Sequence, residues 1–404
     1  MRILYVVSLF PCWSETFIVR ELEALLRRGD DVRILSLKHP QERLVQPDAE
    51  ALCSRVIYPA AWPAAAVNVA AALLRHPWRN ARLLGAMIRG LWRRPASLAK
   101  SLVVWWRTLG RLPAVRRWRP DMVHAHWATY PSTGALVLSE HLGVPFSFTS
   151  HAHDIFLEDQ LLQWKIRAAA FGVTISRFNC RFLEQERGLD LGDKMRVIHC
   201  GVRLAEFRYD RSRKQAGKIL AVARLVEMKG LDTLVRACAR LRDQGVDFEC
   251  EIIGDGPLRG HLDRLIRDLR LESRVRLAGA RPQDAVRASL LAAAAFVLPA
   301  VVDRDGGRDG IPVSLMEAMA VGTPVVSTTV SGIPELVEDG VTGLLAPPGD
   351  VAALAGALAR LLSNPALQEA LARAARQRIE REFDVEKEAA KLQRLFHQVV
   401  GEAG

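Results

Sequence analysis

Residues 303–326 read DRDGGRDGIPVSLMEAMAVGTPVV, a polar glycine-rich loop followed by an apolar run. Proline is favoured at the first position of a helix, so Pro312 predicts the start of a short helix. Gly322 and Pro324 end that helix, because neither residue continues one well. A strand over 325–328 follows directly. The stretch therefore predicts one loop–helix–strand unit of an α/β sheet.

Two acids in this stretch are candidates for ligand binding. Asp309 lies in the loop, and Glu317 lies about a turn and a half inside the helix, where a carboxylate is costly to bury unless it accepts hydrogen bonds. Sugar or ribose hydroxyls could donate them. Free N–H groups and the positive dipole end at the helix start suit an anion. Together they predict a clamp for a molecule with hydroxyls and phosphate, although two acids bonded only to backbone would produce the same pattern.

Strands and helices alternate along the chain in two successive runs. The first opens with a strand at 2–9, a helix at 15–28 and a strand at 32–37, which is a βαβ unit of a parallel sheet. We predict an α/β protein with two doubly wound, Rossmann-like domains that face a cleft. The predicted boundaries are 1–202 for the N-terminal domain, 203–217 for a linker, 218–382 for the C-terminal domain and 383–404 for a C-terminal helix that crosses back to the first domain.

Composition argues against a membrane-spanning, a disulfide-bonded and a secreted protein. The 404 residues are half hydrophobic and one quarter charged, and no run reaches the eighteen apolar residues of a membrane-spanning helix. The six cysteines are scattered, without a CxxC pair, which favours reduced thiols and a cytoplasmic location. The N-terminal apolar run is predicted to be a strand rather than a signal peptide.

A basic, tryptophan-rich insert occupies about 51–120. It has no Asp or Glu, thirteen Arg or Lys, and six of the nine tryptophans, so it accounts for the net charge of +11. Arginine and tryptophan recur on helical spacing at 89–93 and 105–107. This pattern favours helices at an anionic membrane surface, where indole rings lie at headgroup depth. An RNA-binding surface and a solvated helical face are the alternatives.

Cations and histidines lie where strands are predicted to end. Arg224 and Lys229 flank the first strand-to-helix turn of the second domain and suit a diphosphate, although they could be surface charges. Gly254 lies in a tight turn that lets a ligand approach the backbone. His151 follows a strand of the first domain and is predicted to contact substrate. Further acceptor-side candidates are His126, His153 and Asp154. We expect no metal site, and we regard the acidic pair of Asp303-Arg304-Asp305 as a chance match to a metal-binding pattern.

Motifs of the second domain resemble those of a known family. They are AVARLVEMKGL (221–231), IIGDGPL (252–258), RVRLAGAR (274–281) and DGIPVSLMEAMAVGTPVVSTTVSGIPELVEDGVTGLLAPPGD (309–350). In this order they resemble the retaining glycosyltransferases of the GT-B fold, family 4. The first domain is similar to them through SHAHDIF (150–156), VTISRF (173–178) and VIHCGV (197–202). The opening FPCWSETFIVREL (10–22) resembles exopolysaccharide enzymes of the colanic-acid type.

The resemblance implies roles for individual residues. Asp309 stands where the family contacts the transferred sugar, and Glu317 where it binds the ribose. Arg224 and Lys229 match the cations that hold the donor diphosphate, and His151 matches the histidine at the donor sugar. Further nucleotide-sugar contacts are expected at Gly254, Arg281, Gly310, Ile311, Val313 and Ser314, and acceptor-side contacts at Glu15 and Thr16.

Two departures from the family pattern stand out. Asp309 replaces the usual glutamate and is one methylene shorter, and Pro312 replaces a glycine and removes one backbone donor. The resemblance implies transfer of a hexosyl unit from a nucleotide diphosphate sugar, with retention and without a metal or other cofactor. The basic insert favours an acceptor linked to polyprenyl diphosphate and a peripheral position on the inner face of the plasma membrane, with no nucleic acid partner. A nucleotide-sugar epimerase and a non-enzymatic lipid- or RNA-binding protein remain alternatives.

Overall fold

The computed structural model describes residues 1–12, 15–40, 47–157 and 161–403. They form two compact units. Unit 1 comprises Met1–Ile175, Cys180–Ile198 and Glu388–Gly404, and unit 2 comprises Ser176–Asn179 and His199–Lys387. The segment predicted as a linker, 203–217, lies within unit 2 and leads into its first strand. The last part of the C-terminal helix belongs to unit 1.

Each unit is built around one parallel sheet. The strands of unit 1 are β1 Arg2–Val7, β2 Asp31–Ser36, β3 Val56–Ile57, β4 Met122–His126, β5 Phe146–Ser150, β6 Phe171–Thr174 and β7 Met195–Val197. Those of unit 2 are β8 Gln215–Val222, β9 Glu249–Ile253, β10 Val275–Gly279, β11 Ala293–Val297, β12 Val325–Thr328 and β13 Leu344–Ala346. The sheet orders are β3-β2-β1-β4-β5-β6-β7 and β10-β9-β8-β11-β12-β13. Both units are therefore doubly wound, as predicted.

Helices connect the strands in both units. In the first half of the chain they are α1 Thr16–Arg27, α2 Pro47–Ala51, α3 Trp62–Arg75, α4 Pro77–Leu91, α5 Pro95–Trp118, α6 Tyr130–Leu142, α7 His153–Phe156, α8 Leu162–Ala168 and α9 Arg177–Gln185. Those that follow are α10 Leu231–Asp243, α11 Arg259–Asp268, α12 Gln283–Ala292, α13 Val313–Ala320, α14 Ile333–Leu336, α15 Val351–Leu362, α16 Pro365–Glu382 and α17 Val385–Ala403. Short 3₁₀ turns cover Cys53–Arg55 and Glu227–Lys229.

The strand order reverses at one place in each sheet. In unit 1 the reversal lies between β1 and β4, and in unit 2 between β8 and β11. Loops that leave neighbouring strands there diverge to opposite faces of the sheet and leave a crevice, which is where open α/β sheets bind ligands. The topology thus selects four loops: those after β1, β4, β8 and β11.

The cores explain why these segments form strands. Residues 3–7 of β1 and 293–297 of β11 are fully buried apolar runs, as expected for central parallel strands covered on both faces. The helix α1 buries Ile18, Leu22 and Leu25 at helical spacing. Residues Leu392 and Phe396 of α17 join the same core of unit 1.

The structure limits which tryptophans of the predicted membrane interface are accessible. The insert folds into the three helices α3, α4 and α5, and α5 packs between the others and α6. Trp105 and Trp118 are buried because α5 lies in that position, so they cannot enter a membrane. Trp62, Trp78 and Trp92 remain exposed, by 69%, 86% and 64%. No helix in the described ranges has the length and apolar character needed to span a membrane.

Candidate active site

Two of the selected loops bring a cation and an acid together in unit 2. Lys229, after β8, places its Nζ 2.6 Å from Asp309 Oδ1 and 2.7 Å from Asp309 Oδ2. Asp309 lies in the loop after β11. Both side chains are mostly buried, with 17% and 14% of their surface exposed. A cation and an acid predicted from separate motifs, eighty residues apart, therefore meet at the reversal of strand order.

Close backbone contacts hold these two loops together. Val301 N–H donates to Met228 O at 2.9 Å, directly beside Lys229. Gly230 has φ +63°, and a Cβ there would lie 1.8 Å from Pro299 O. A side chain at this position would push the loops apart, because backbone cannot give way as a flexible side chain can. The glycine thus allows Lys229 to reach Asp309.

Gly254, like Gly230, lies where two loops approach each other too closely for a side chain. It follows β9 with φ +141°, donates its N–H to Gly279 O at 2.9 Å, and leaves only 1.8 Å between a hypothetical Cβ and Ala223 O. Ala223 precedes Arg224, which is exposed. The absence of a side chain at Gly254 therefore lets the loops after β8 and β9 lie side by side.

The second acid of the clamp lies inside α13. Glu317 is 5% exposed and accepts a hydrogen bond from Gln283 Nε2 at 3.0 Å. Because a buried carboxylate needs such donors, Gln283 keeps Glu317 in place. Arg281, predicted to contact the nucleotide, forms an ion pair of 3.0 Å with the buried Glu251. This pair orients the loop that precedes α12.

The start of α13 provides backbone donors. The helix begins at Val313, and Pro312 is its N-cap in extended conformation, one residue later than predicted. Among the hydrogen bonds between described residues, none uses the N–H of Val313 or Ser314. Gly310 and Ile311 are buried below this turn, and Ile311 belongs to the core. The helix start therefore keeps two amide donors available for an anion.

Asp303 closes its own turn. Its carboxylate accepts hydrogen bonds from the N–H groups of Asp305 and Gly307 at 3.1 and 2.7 Å. Arg304 forms an exposed ion pair with Glu227. Asp303 therefore stabilises the turn of the loop after β11, and Arg304 pairs with an acid of the neighbouring 3₁₀ turn.

Unit 1 contains a largely buried row of hydrogen-bonded side chains that runs from β1 and α1 to the ends of β4 and β5. Tyr5 Oη donates to Glu21 Oε1 at 2.8 Å, and the same oxygen lies 2.9 Å from His126 Nε2. His126 Nδ1 lies 3.0 Å from His151 Nε2, with the two rings stacked. His151 is 5% exposed. We call these four residues the Tyr5–His151 relay.

Charge and burial set the protonation of this relay. Burial alone would raise the pKa of the Glu21 carboxyl, but the charge of His126 and the hydrogen bonds from His126 and Tyr5 lower it overall. Burial, reinforced by His126, holds the pKa of His151 well below its usual value. Glu21 is therefore ionised and His151 neutral at pH 7.

A second network holds the loop that follows β4. The fully buried carboxylate of Asp154 accepts hydrogen bonds from the N–H of Ala128 and of His151, at 2.6 and 2.9 Å. Lys165 is 1% exposed and donates to the carbonyls of Ala128 and Thr129. Burial lowers the pKa of Lys165 to about 7, and Asp154 opposes that effect. Asp154 thus positions the His151 backbone, instead of pointing into solvent.

The remaining acceptor-side candidates lie around the relay. Glu15 accepts a hydrogen bond from Trp127 Nε1 at 3.1 Å, and the Trp127 ring lies 4.7 Å from that of His151. Thr16 is the first residue of α1 and is partly buried. His153 is exposed at the start of α7. The structure therefore brings Glu15, His126 and His151 into one neighbourhood.

Three side chains of this region have the composition of a metal site. Ligand atoms of Glu21, His124 and His126 lie within 4.8 Å of one another. Each already has partners, however: the ring nitrogens of His124 lie 2.7 Å from Ser147 Oγ and 3.0 Å from Thr149 Oγ1. A metal ion could bind here only by displacing these hydrogen bonds.

The buried histidines predict a pH-dependent stability of unit 1. Burial lowers the pKa of His124 and His151 well below 6.5 and that of His141 to about 4. Below pH 6.5 the unfolded chain binds protons that the folded histidines do not, so the free energy of unfolding falls as the pH falls.

We therefore expect a lower urea midpoint at pH 5 than at pH 7. All nine tryptophans lie between residues 13 and 164, so tryptophan fluorescence reports unit 1 alone. A His141→Gln variant should show a smaller difference between the two pH values. Equal midpoints at both pH values would contradict the prediction.

Several residues of the site were not predicted from the sequence. Glu21 and Gln283 lie within amphipathic helices, where acids and amides normally face solvent. Glu251 lies inside a strand and Lys165 inside a short helix. The sequence offered only two hints of their roles. Glu21 falls within the opening motif 10–22, and Gln283 lies two residues after Arg281.

Comparison with known proteins agrees with this architecture. Residues 14–206 match the family described as Glycosyltransferase Family 4, and residues 204–378 match Glycosyl transferases group 1. A solved structure of Anabaena Alr3699/HepE in complex with UDP superposes with a TM-score of 0.71 at 17% identity, covering 98% of this chain and all of the other. The fold is therefore the predicted GT-B fold.

Sequence comparison with individual proteins points to the same family. The chain is 45% identical over 194 residues to the amylovoran biosynthesis glycosyltransferase AmsK of Erwinia amylovora, covering 48% of each chain. It is 43% identical over 197 residues to the putative colanic acid biosynthesis glycosyltransferase WcaL of Salmonella typhimurium, again covering 48% of each. The chain thus spans about half the length of these two relatives. To the glycogen synthase of Mycobacterium tuberculosis it is 32% identical over 292 residues, 68% of both chains.

The two family matches together run from residue 14 to residue 378, and the glycogen synthase alignment extends over two thirds of both proteins. Two of the motifs that carry the resemblance, 221–231 and 309–350, contain parts of the loops after β8 and β11, which the sheet topology selects. The chain belongs to the group 1 glycosyl transferases, glycosyltransferase family 4.

Proposed function

We propose that the protein is a retaining glycosyltransferase that moves a hexosyl unit from a nucleotide diphosphate sugar to a saccharide acceptor in exopolysaccharide synthesis. The observation that carries this proposal is the meeting of Lys229 and Asp309 at the strand-order reversal of unit 2. The exposed Arg224 and the amide donors at the start of α13 add to it. The names of AmsK and WcaL and the UDP complex of HepE support the same activity.

Each group has a distinct task in this proposal. Lys229, Arg224 and the helix start stabilise the negative charge that develops on the departing diphosphate. Asp309 accepts hydrogen bonds from the transferred sugar, and Glu317 binds the ribose. The role proposed for His151 is contact with the transferred sugar. Because these cations and amides supply the positive charge that the diphosphate needs, we propose that the reaction requires no metal.

The reaction proposed is a displacement on one face of the sugar. The bond between the anomeric carbon and the diphosphate oxygen breaks, and a bond to the acceptor oxygen forms on the same face. The acceptor's proton passes to the leaving diphosphate. Asp309 is paired with Lys229, and Glu317 is buried beside Gln283, so we assign neither the role of nucleophile.

The acceptor is proposed to be a lipid-linked saccharide, in particular one carried on polyprenyl diphosphate. Trp62, Trp78 and Trp92 are exposed on helices α3 and α4 or directly after them, in an insert without acidic residues. Exposed indole rings beside arginines suit the headgroup region of an anionic membrane. We therefore propose a peripheral position on the cytoplasmic face of the plasma membrane.

The donor assignment can be tested by thermal unfolding with UDP, GDP and ADP and their sugars. A nucleotide present at a hundred times its Kd stabilises the folded protein by about 2.7 kcal/mol. We expect one nucleotide class to raise the Tm of unit 2 by about 5–10 °C, because each kcal/mol raises the Tm of a unit of this size by about 2–4 °C. The increase should be lost in Glu317→Ala and reduced in Glu317→Gln, which preserves the side-chain volume. No increase with any nucleotide would contradict the proposed activity.

A further inference from the structure

A pocket of about 380 Å³ opens in the helical insert of unit 1, away from the candidate active site. It lies between α3 and the C-terminal part of α5. Its basic lining consists of Arg75, His76, Arg116, Arg117 and Arg119. Four guanidinium groups therefore surround one cavity.

These arginines lack an acidic partner in the part of the chain that the structure describes. Among the described residues, no carboxylate lies within ion-pair distance of Arg75, Arg116, Arg117 or Arg119, and the insert contains no Asp or Glu. The mutual repulsion of such cations is relieved when an anion binds between them. The buried neighbour His141 responds to this field: its pKa is lowered by burial first and then by Arg79, His76 and Arg116.

The pocket is held by packing rather than by a loop. Asn68 Nδ2 of α3 donates to Gly110 O of α5 at 2.8 Å. A Cβ on Gly110 would lie 3.0 Å from Ala65 Cβ, so the two helices are in close contact. Arg116 also donates to His141 O at 3.2 Å. These contacts fix the distance between the arginines of α3 and those of α5.

Two strongly exposed apolar side chains adjoin the pocket. Leu74 is 83% exposed and Trp78 is 86% exposed, the largest values among the exposed large hydrophobic residues of the described chain. They flank Arg75 and His76 at the corner between α3 and α4. An apolar corner beside an arginine pocket matches the boundary of an anionic bilayer, where acyl chains lie next to phosphate.

We propose that this pocket binds the phosphate of an anionic phospholipid headgroup, while Leu74 and Trp78 enter the interface. The inference deepens the proposed membrane association: it names the group recognised and the corner that is inserted. Arginine suits this task because its planar donors can bind phosphate oxygens in pairs.

The test is sedimentation with vesicles of phosphatidylcholine alone and of phosphatidylcholine mixed with phosphatidylglycerol. We expect binding only to the anionic vesicles. The double variant Arg75→Gln/Arg117→Gln removes two exposed pocket cations and should weaken binding about tenfold or more. The matched pair Arg93→Gln/Arg94→Gln removes the same charge outside the pocket and should weaken it less. An equal loss from both pairs would overturn the pocket and leave only a diffuse basic surface.

Further measurements distinguish a lipid headgroup from other anionic ligands. Leu74→Gln/Trp78→Gln keeps the charge and should also weaken vesicle binding. Glycerol phosphate that binds as tightly as the vesicles, or a short RNA that displaces them, would overturn the lipid assignment. The nucleotide-induced rise in Tm should be unchanged in all these variants, because none belongs to the candidate active site. Failure of vesicle binding with that rise intact would reject this inference without rejecting the proposed transferase.

Discussion

Replacing Lys229 with methionine is expected to lower kcat by about a hundredfold to a thousandfold, the usual effect of losing one preorganised charge-stabilising donor. Lys229 is held 2.6 Å from Asp309 by the contact between the loops after β8 and β11. We propose that it faces the diphosphate when the donor is bound. The expected loss therefore appears in kcat, measured with the donor class that the thermal screen identifies.

The same substitution should also destabilise unit 2. It leaves the Asp309 carboxylate, 14% exposed, without its cation. Removing one partner of a mostly buried pair costs about 1–3 kcal/mol, because the other partner keeps its desolvation penalty. A lower Tm alone would thus not establish a catalytic role.

The double variant Lys229→Met/Asp309→Asn separates the two effects. With the lone charge removed, we expect most of the lost Tm to return while kcat stays low. Lys229→Arg retains a cation and should keep more activity than Lys229→Met. Recovery of activity in the double variant would show that the pair serves stability only.

Removing the charge of Glu21 is expected to lower kcat by about tenfold to a hundredfold, although Glu21 reaches His151 only through His126. Partners that orient a functional histidine typically have effects of this size. Because Glu21 accepts from His126 Nε2, the other nitrogen of His126, Nδ1, makes the hydrogen bond to His151 Nε2 and so fixes which ring nitrogen of His151 carries the proton. The Tyr5–His151 relay thereby selects one tautomer of His151.

Glu21→Gln keeps the side-chain volume and removes the charge, whereas Tyr5→Phe removes one hydrogen bond to the same carboxylate without changing its charge. We expect a much smaller loss of kcat from Tyr5→Phe. Nitrogen-15 NMR of the histidine rings reports the tautomer directly, and the His151 signals should shift in Glu21→Gln. An unchanged tautomer together with unchanged kcat would reject the positioning role. His151→Phe should lose at least as much activity as Glu21→Gln.

The main strands and helices could be predicted because their local sequence pattern favours the same secondary structure that tertiary packing requires. The strand predicted at 325–328 has the observed bounds, and the helix predicted at 15–28 is observed as Thr16–Arg27. The strands β3 and β13 were missed, since two and three residues carry no periodic signal. Their pairing with β2 and β12 creates them.

In the basic insert, composition alone does not indicate which tryptophans are exposed. Its tryptophans look equivalent in sequence, yet Trp105 is 7% exposed and Trp78 is 86% exposed. The difference arises because α5 packs against α3, α4 and α6, whereas Leu74 and Trp78 remain exposed at the corner between α3 and α4. Only packing decides which aromatic residues can meet a lipid surface.

The sequence by itself determined the α/β alternation and the family motifs, and it identified Lys229, Asp309, Glu317 and His151 as candidate site residues. It could do so because periodicity and loop chemistry are local properties of the chain. Tertiary structure alone decided that Lys229 pairs with Asp309, that Glu21 is linked to His151 through His126, and that four arginines share one pocket. Those relations join residues that are distant along the chain, and they exist only because strand order and helix packing bring the residues together.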